Sequence, residues 1–254
     1  MCLVLIAHEV LPELPLVVAA NRDEFHERGT MAAHWWEDEP ILAGRDREAG
    51  GTWFGVNRHG VFATVTNYRD PSVNEPGLPS RGQLPVLVLR RDRVREQTVR
   101  TLHNEGHRYN GFNLLFGQPG SLHYVTNRGE SQSRLRPGLY GLSNHVLETA
   151  WPKVQHGKAL LQEYLDSGRA PEHGPLLDLL HDRSRPDDDH LPNTGIGLEW
   201  ERLLAPMFIV SRRYGTRAST VLTVDRQGRA AFTERTFDWR GNPQETRSFE
   251  FALT

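Results

Sequence analysis

The sequence predicts an α+β fold in which antiparallel sheet forms the interior and helices pack on its outer faces. Three observations carry this. Short apolar runs of strand length recur along the 254 residues, and several are joined by tight turns, which means hairpins rather than parallel crossovers. Helical periodicity is confined to two blocks, 82–102 and 149–182, instead of alternating with the strands. No repeat, heptad or linker divides the chain, so residues 1–254 are read as one domain, long enough to bury most of its surface.

The elements follow in order. "CLVLIA" and "LPLVVAAN" are apolar strands separated by the turn-like "HEVLPE". "ILAGRD", "TWFGVN" and "GVFATVTNY" come next, the last two joined at "NRHG" as a hairpin. Residues 82–102 set Leu and Val at helical spacing among Arg and Glu, with Pro85 in the first turn, where its missing N–H costs nothing. "YNGFNLLFGQPGSLHYVTNRG" is a hairpin turning at Gln118-Pro119-Gly120, and "GLYGLSN" is a further strand. Residues 149–167 form the clearest helix, capped by Thr149, with Pro152 near its start and Leu160, Leu161, Tyr164 and Leu165 on one face. "PLLDLLHD" is a short helix and "RSRPDDDHLPNTG" a polar loop. "MFIVSRRYGTRASTVLTVD", "GRAAFTERTF" and "TRSFEFAL" close the chain as strands.

Composition excludes several classes. A net charge of -2 gives no electrostatic case for nucleic acid or an anionic membrane as partner. No run approaches the roughly 18 apolar residues of a membrane span, and "CLVLIA" lacks the basic flank and length of a signal peptide. The single cysteine excludes an intrachain disulfide and any multi-cysteine zinc site, which suits a reducing compartment; the expected location is the cytoplasm. His103 and His107 are four apart, but Gly106 breaks a helix there and no third ligand is near, so no metal is expected. Oligomeric state is not readable from the sequence.

That single cysteine is Cys2. In an apolar run a free cysteine is ordinarily a small buried hydrophobe. Behind the initiator methionine it has a second reading. Removal of Met1 would put a thiol and a free α-amine on one residue, and the amine, with an unperturbed pKa of about 7.7–8.0, can serve as base for its own thiol. Asn21-Arg22-Asp23-Glu24 ends the next strand with four polar residues. The plain reading is a charged turn. The functional one is an active-site rim, with Arg22 lowering a thiol pKa and Asp23 or Glu24 accepting from an ammonium.

With "GGTWFGVN" at 50–57, "GVFATVTNYRDP" at 60–71, "SRG" at 80–82, "YNGFNLL" at 109–115, "GLSN" at 141–144, "WPK" at 151–153 and "YGTRASTVL" at 214–222, this segment is identified as belonging to a member of the NRDE, or transport-and-Golgi-organisation, family. The resemblance covers essentially the whole chain. It implies roles in haem handling and in lipid or acyl-coenzyme A homeostasis. Haem is then a candidate ligand, held by Cys2 or a histidine, and the partner is a small amphipathic molecule. More distantly, the order of elements resembles the N-terminal nucleophile hydrolases of the cholylglycine hydrolase type. That likeness implies an αββα sandwich, a catalytic N-terminal cysteine and cleavage of a linear amide without a cofactor.

By this resemblance Asn67 and Asn144 are the oxyanion donors, and Arg22, Asp23 and Arg217 tune the thiol and amine. The family pattern is Arg-Asn-x-Asp where this chain has Asn21-Arg22-Asp23-Glu24, which leaves the division of roles among Arg22, Asp23 and Glu24 open. Asn21, Glu24, Trp53, Tyr68 and His145 are assigned to the pocket wall and rim. Gly50-Gly51 reads either as close backbone approach to a ligand or as a turn into a strand with Trp53 in the core. Trp35-Trp36 either lines a cleft or covers one end of the core.

Overall fold

The computed structural model describes residues 2–130 and 134–254. Strands β1 (Cys2–His8) and β2 (Leu16–Phe25) form the first hairpin. Strands β3 (Thr30–Trp35), β4 (Ile41–Asp46), β5 (Phe54–Asn57) and β6 (Phe62–Asn67) follow. Next come helices α1 (Gln83–Leu89) and α2 (Glu96–Glu105), then β7 (Phe112–Gln118), β8 (Ser121–Thr126) and β9 (Gly138–Leu142). Helices α3 (Pro152–Asp166), α4 (His173–Leu179) and α5 (Leu198–Leu204) precede β10 (Tyr214–Val224), β11 (Arg229–Phe237) and β12 (Pro243–Ala252).

Two six-stranded sheets result, ordered β12-β11-β10-β2-β1-β9 and β3-β4-β5-β6-β7-β8, with antiparallel pairing throughout. Alternation along each strand builds three apolar layers. Val4, Ile6, Val18 and Ala20 of the first sheet meet Phe54, Phe62 and Leu115 of the second. Leu3, Leu5, Val17 and Ala19 face outward onto Val154, Leu161 and Leu176 of α3 and α4. Ala63, Leu114 and Phe116 face outward from the second sheet onto Leu84, Val88, Val99 and Leu102 of α1 and α2. The layers are therefore helix, sheet, sheet, helix.

The sequence differs from the structure in four places, each with a local cause. The helix expected over 82–102 is two helices. Asn57 Nδ2 donates to the carbonyls of Leu89 (2.8 Å) and Arg91 (2.7 Å), satisfying C-terminal acceptors and ending α1 before the polar run 90–93. Thr149 does not cap α3. Trp151 is the cap residue, Pro152 sits in the first turn, and the Thr149 hydroxyl donates to Val146 O instead. Residues 207–213 are loop rather than strand, buried at Met207, Phe208 and Ile209 and held by Phe208 N–H to Asp182 O and Ile209 N–H to Thr216 Oγ1. β3 escapes the sequence pattern because a bulge between Met31 and His34 breaks its alternation. Trp35 packs on Phe251 and Trp36 is buried, its indole N–H donating to Ala43 O, so this pair covers the sandwich rather than a cleft.

His173 at the start of α4 bonds Thr233 Oγ1 (2.8 Å) and Thr223 Oγ1 (3.0 Å) through its two ring nitrogens. Burial lowers its pKa to about 4. The unfolded chain therefore binds this proton first as pH falls, and stability should decline from about pH 6.5 towards pH 4. Denaturant midpoints across that window should fall more steeply for the native chain than for His173→Gln.

Candidate active site

Strand alternation decides which way each residue of the hairpin points. Cys2 shares the face of Val4 and Ile6, towards the second sheet. Arg22 pairs with Cys2 across the ladder and shares that face with Ala20 and Val18. Asn21 and Asp23 share the opposite face with Val17 and Ala19, towards the helices. β6 of the facing sheet ends at Asn67. The half-buried Cys2 thereby opens into a cavity of about 250 Å³ whose walls include Arg22, Asp23, Glu24, Trp53 and Asn67.

Arg22 is a wall of this cavity, fixed on three sides. Its guanidinium lies 4.3 Å over the Trp53 ring, donates to Thr30 Oγ1 (3.1 Å) and pairs with Asp46 at 3.7 Å. Asp46 is itself held by Arg28 Nε at 2.6 Å and by the amides of Glu48 and Ala49. Gly44 makes room for this stack, since a Cβ there would stand 2.3 Å from the Trp53 ring. Gly51 has a different partner: a Cβ on it would meet Gly82 O at 2.4 Å. Gly51 thus lies against the backbone of the 80–82 segment, which brings Arg81 into the cavity lining.

Burial pushes the Cys2 thiol above its ordinary pKa, and the Asp23 carboxylate pushes the same way; the Asp23 backbone N–H and the Arg22 guanidinium oppose them. A thiol held protonated needs a base to react. Asp23 is buried. Its Oδ1 accepts from Thr216 Oγ1 (2.7 Å) and its backbone carbonyl from the Tyr214 hydroxyl (2.9 Å). Burial raises its pKa, while the Lys153 ammonium is the strongest of the charges that lower it.

Asn67 lines the cavity, and its side-chain amide makes no hydrogen bond among the described residues. Its backbone is fixed instead. Asn144 Nδ2 donates to Asn67 O (2.9 Å), Thr66 Oγ1 donates to Ser143 O (2.7 Å), and Ser143 Oγ donates to Cys2 O (3.0 Å). The 143–144 segment therefore ties the strand that carries Cys2 to the strand that carries Asn67. Asn144 is buried outside the cavity lining, with its amide engaged on the Asn67 carbonyl.

Four other expected residues lie elsewhere. Asn21 is structural: its Nδ2 donates to Leu180 O and Met207 O, both at 2.8 Å, and its Oδ1 accepts from Ser219 Oγ at 2.6 Å. Arg217 stands in a β-bulge between Thr216 and Ala218, and its Nη1 donates to the carbonyls of Phe25 and His26, away from the thiol cavity. Tyr68 and His145 form a separate pair, hydroxyl to Nε2 at 2.7 Å, with His145 Nδ1 2.9 Å from Thr149 Oγ1. Neither lines the cavity.

Sequence reasoning missed a buried charge cluster behind Asp23. Lys153 donates to Leu204 O (3.0 Å), and burial lowers its pKa to about 8. Arg69 pairs with Glu201 at 2.7 Å, both almost wholly buried, and stacks 4.6 Å over Trp151. A signal was available: Lys153 is one of two lysines in an arginine-rich chain and sits in "WPK", while Arg69 sits in "NYRDP" two residues after Asn67. Arg81, in "SRG", was equally visible. It donates to Gly111 O (3.1 Å), and burial lowers its pKa.

The fold is similar to that of a solved structure. The Caenorhabditis elegans N-acylethanolamine-hydrolyzing acid amidase ortholog superposes with a TM-score of 0.51 at 9% identity, covering 87% of this chain and 92% of that one. The architecture is the αββα sandwich of the N-terminal nucleophile hydrolase type. In sequence, the chain is 35% identical over 256 residues to the Transport and Golgi organization 2 homolog of Mus musculus, and 39% identical to the homolog of Bos taurus. Each alignment covers 94% of this chain and 92% of the relative. The model of the family described as Transport and Golgi organisation 2 matches residues 1–239, and the chain belongs to that family.

Proposed function

We propose that the chain is an N-terminal cysteine amidohydrolase that cleaves a linear amide or related acyl bond of a small molecule. One observation carries the reading: Cys2 and the uncommitted amide of Asn67, from facing sheets, line the same small cavity. After removal of Met1, the Cys2 α-amine takes the thiol proton and the sulfur attacks the acyl carbon. Asn67 Nδ2 donates to the developing oxyanion. The amine returns the proton to the leaving nitrogen as the C–N bond breaks, and water then hydrolyses the thioester. Asp23 stabilises the ammonium, and the Lys153 charge behind it opposes the rise in the Asp23 pKa that burial causes. The chemistry needs no metal or cofactor, and a reducing compartment such as the cytoplasm keeps the thiol intact.

The charged lining of Arg22, Glu24, Arg28, Asp46 and Arg81 favours a polar group at the scissile end, so the apolar part of an amphipathic substrate would lie outside this cavity. At about 250 Å³ the space is below the 300–1,000 Å³, mostly apolar, of typical cofactor pockets, and it lends no support to haem as the occupant. Among the described residues no helix is long and apolar enough to cross a membrane.

Asn67→Ala should lower kcat for hydrolysis of p-nitrophenyl acetate by roughly 10²–10³ with little change in KM, because the donor acts only on the transition state. An unchanged kcat would remove Asn67 from the mechanism.

A further inference from the structure

A second cavity, of about 490 Å³, shares Arg22 and Trp53 with the thiol cavity and extends along β3, β10, β11 and β12. We propose that it binds an oxyanion, a carboxylate or phosphate group, through Arg47, Arg217 and Arg247.

Its charges are unbalanced. Four guanidiniums line it, those of Arg22, Arg47, Arg217 and Arg247, against the carboxyls of Glu234 and Glu245. Glu245 is already paired with Arg247 Nε at 2.7 Å, and Arg22 with Asp46. The Arg47 side chain makes no hydrogen bond or ion pair among the described residues, and Arg217 is bonded through Nη1 alone. Trp53 adds a buried indole N–H with no hydrogen-bond partner among the described residues. Guanidinium forks match the paired oxygens of carboxylate and phosphate, so these uncommitted donors and the excess positive charge define one ligand chemistry.

Glu234 makes this site pH-sensitive. It is 2% exposed, accepts from Ala33 N–H (2.7 Å) and forms no ion pair among the described residues. Burial pushes its pKa up to about 7. The groups facing it are Arg22 on β2, His34 on β3, Arg217 and Thr220 on β10, Glu245 and Arg247 on β12, and Arg47 in the turn after β4. As pH rises through about 7 Glu234 ionises, cancels one positive charge and weakens anion binding.

Calorimetric titration of the full chain with glutarate and with inorganic phosphate tests this without any turnover, so its outcome is separate from that of the hydrolase reading. At least one anion is expected to bind. Preference for phosphate assigns a phosphorylated ligand, and preference for glutarate a carboxylate one. Arg47→Ala, at an exposed position, should weaken binding about tenfold or more, the loss of one charge-assisted contact. Arg185→Ala, an exposed arginine outside this cavity, should leave it unchanged. Glutarate, largely a dianion at both pH values, should bind more weakly at pH 8 than at pH 6 to the native chain and no more weakly at pH 8 to Glu234→Gln. Absence of binding by either anion up to the order of 10 mM, or equal affinity in Arg47→Ala, would overturn the site.

Discussion

Cys2→Ala is expected to abolish hydrolysis of p-nitrophenyl acetate, by about 10³-fold or more, while leaving the fold intact. The size follows from removing the group that forms the covalent intermediate, without which Asn67 has no developing oxyanion to stabilise. The structural cost is small because Cys2 is half-buried at the outer end of β1, where it loses one sulfur and no ladder bond. Its carbonyl still accepts from Ser143 Oγ. Thermal melts of the two proteins should agree within a few degrees, which separates a chemical loss from a folding one. Residual turnover close to that of the native chain would place the chemistry elsewhere.

Glu201→Leu should be the most destabilising single change in the site region, costing about 3–5 kcal/mol. Its carboxylate meets Arg69 Nη1 at 2.7 Å and accepts from Thr194 N–H (2.8 Å) and Thr194 Oγ1 (2.6 Å), in surroundings from which water is excluded. Removing it leaves a buried guanidinium without its counter-charge. The effect should reach the site as well, since the backbone N–H of Arg69 is bonded to Asn144 O at 2.7 Å and Asn144 holds Asn67. Urea denaturation should show the loss, and the double change Arg69→Met with Glu201→Leu should recover much of it, because a buried pair is costly to break and cheap to replace by apolar groups.

These two residues mark the limits of what a sequence reveals. The sandwich was legible because its strands alternate: the odd-numbered leucines of β1 and the even-numbered valine and isoleucine face different layers, and the same rule places Cys2 beside Arg22. The convergence of Cys2 and Asn67 was legible through ordered motifs. What alternation cannot give is where a long polar side chain finds its partner. Asn144 is where the motif order puts it, yet its amide holds the Asn67 carbonyl. Arg217 sits one residue from the Asp23 partner Thr216, but the bulge turns it towards the Phe25 and His26 carbonyls. Lys153 and Glu201 come from α3 and α5, and no local pattern shows that they approach Asp23 and Arg69. Arg81 reaches the cavity only because two glycines let its loop lie against the 51–52 backbone.

The central claim is that Cys2 carries a free amine and a reactive thiol. Intact mass spectrometry of the purified chain, before and after exposure to an acyl-directed electrophile such as a β-lactone, tests it in one measurement. The account predicts a mass lacking one methionine residue, then a single adduct that maps to Cys2 and is absent from Cys2→Ala. Retention of Met1, or a processed chain that takes up no adduct at Cys2, would contradict it.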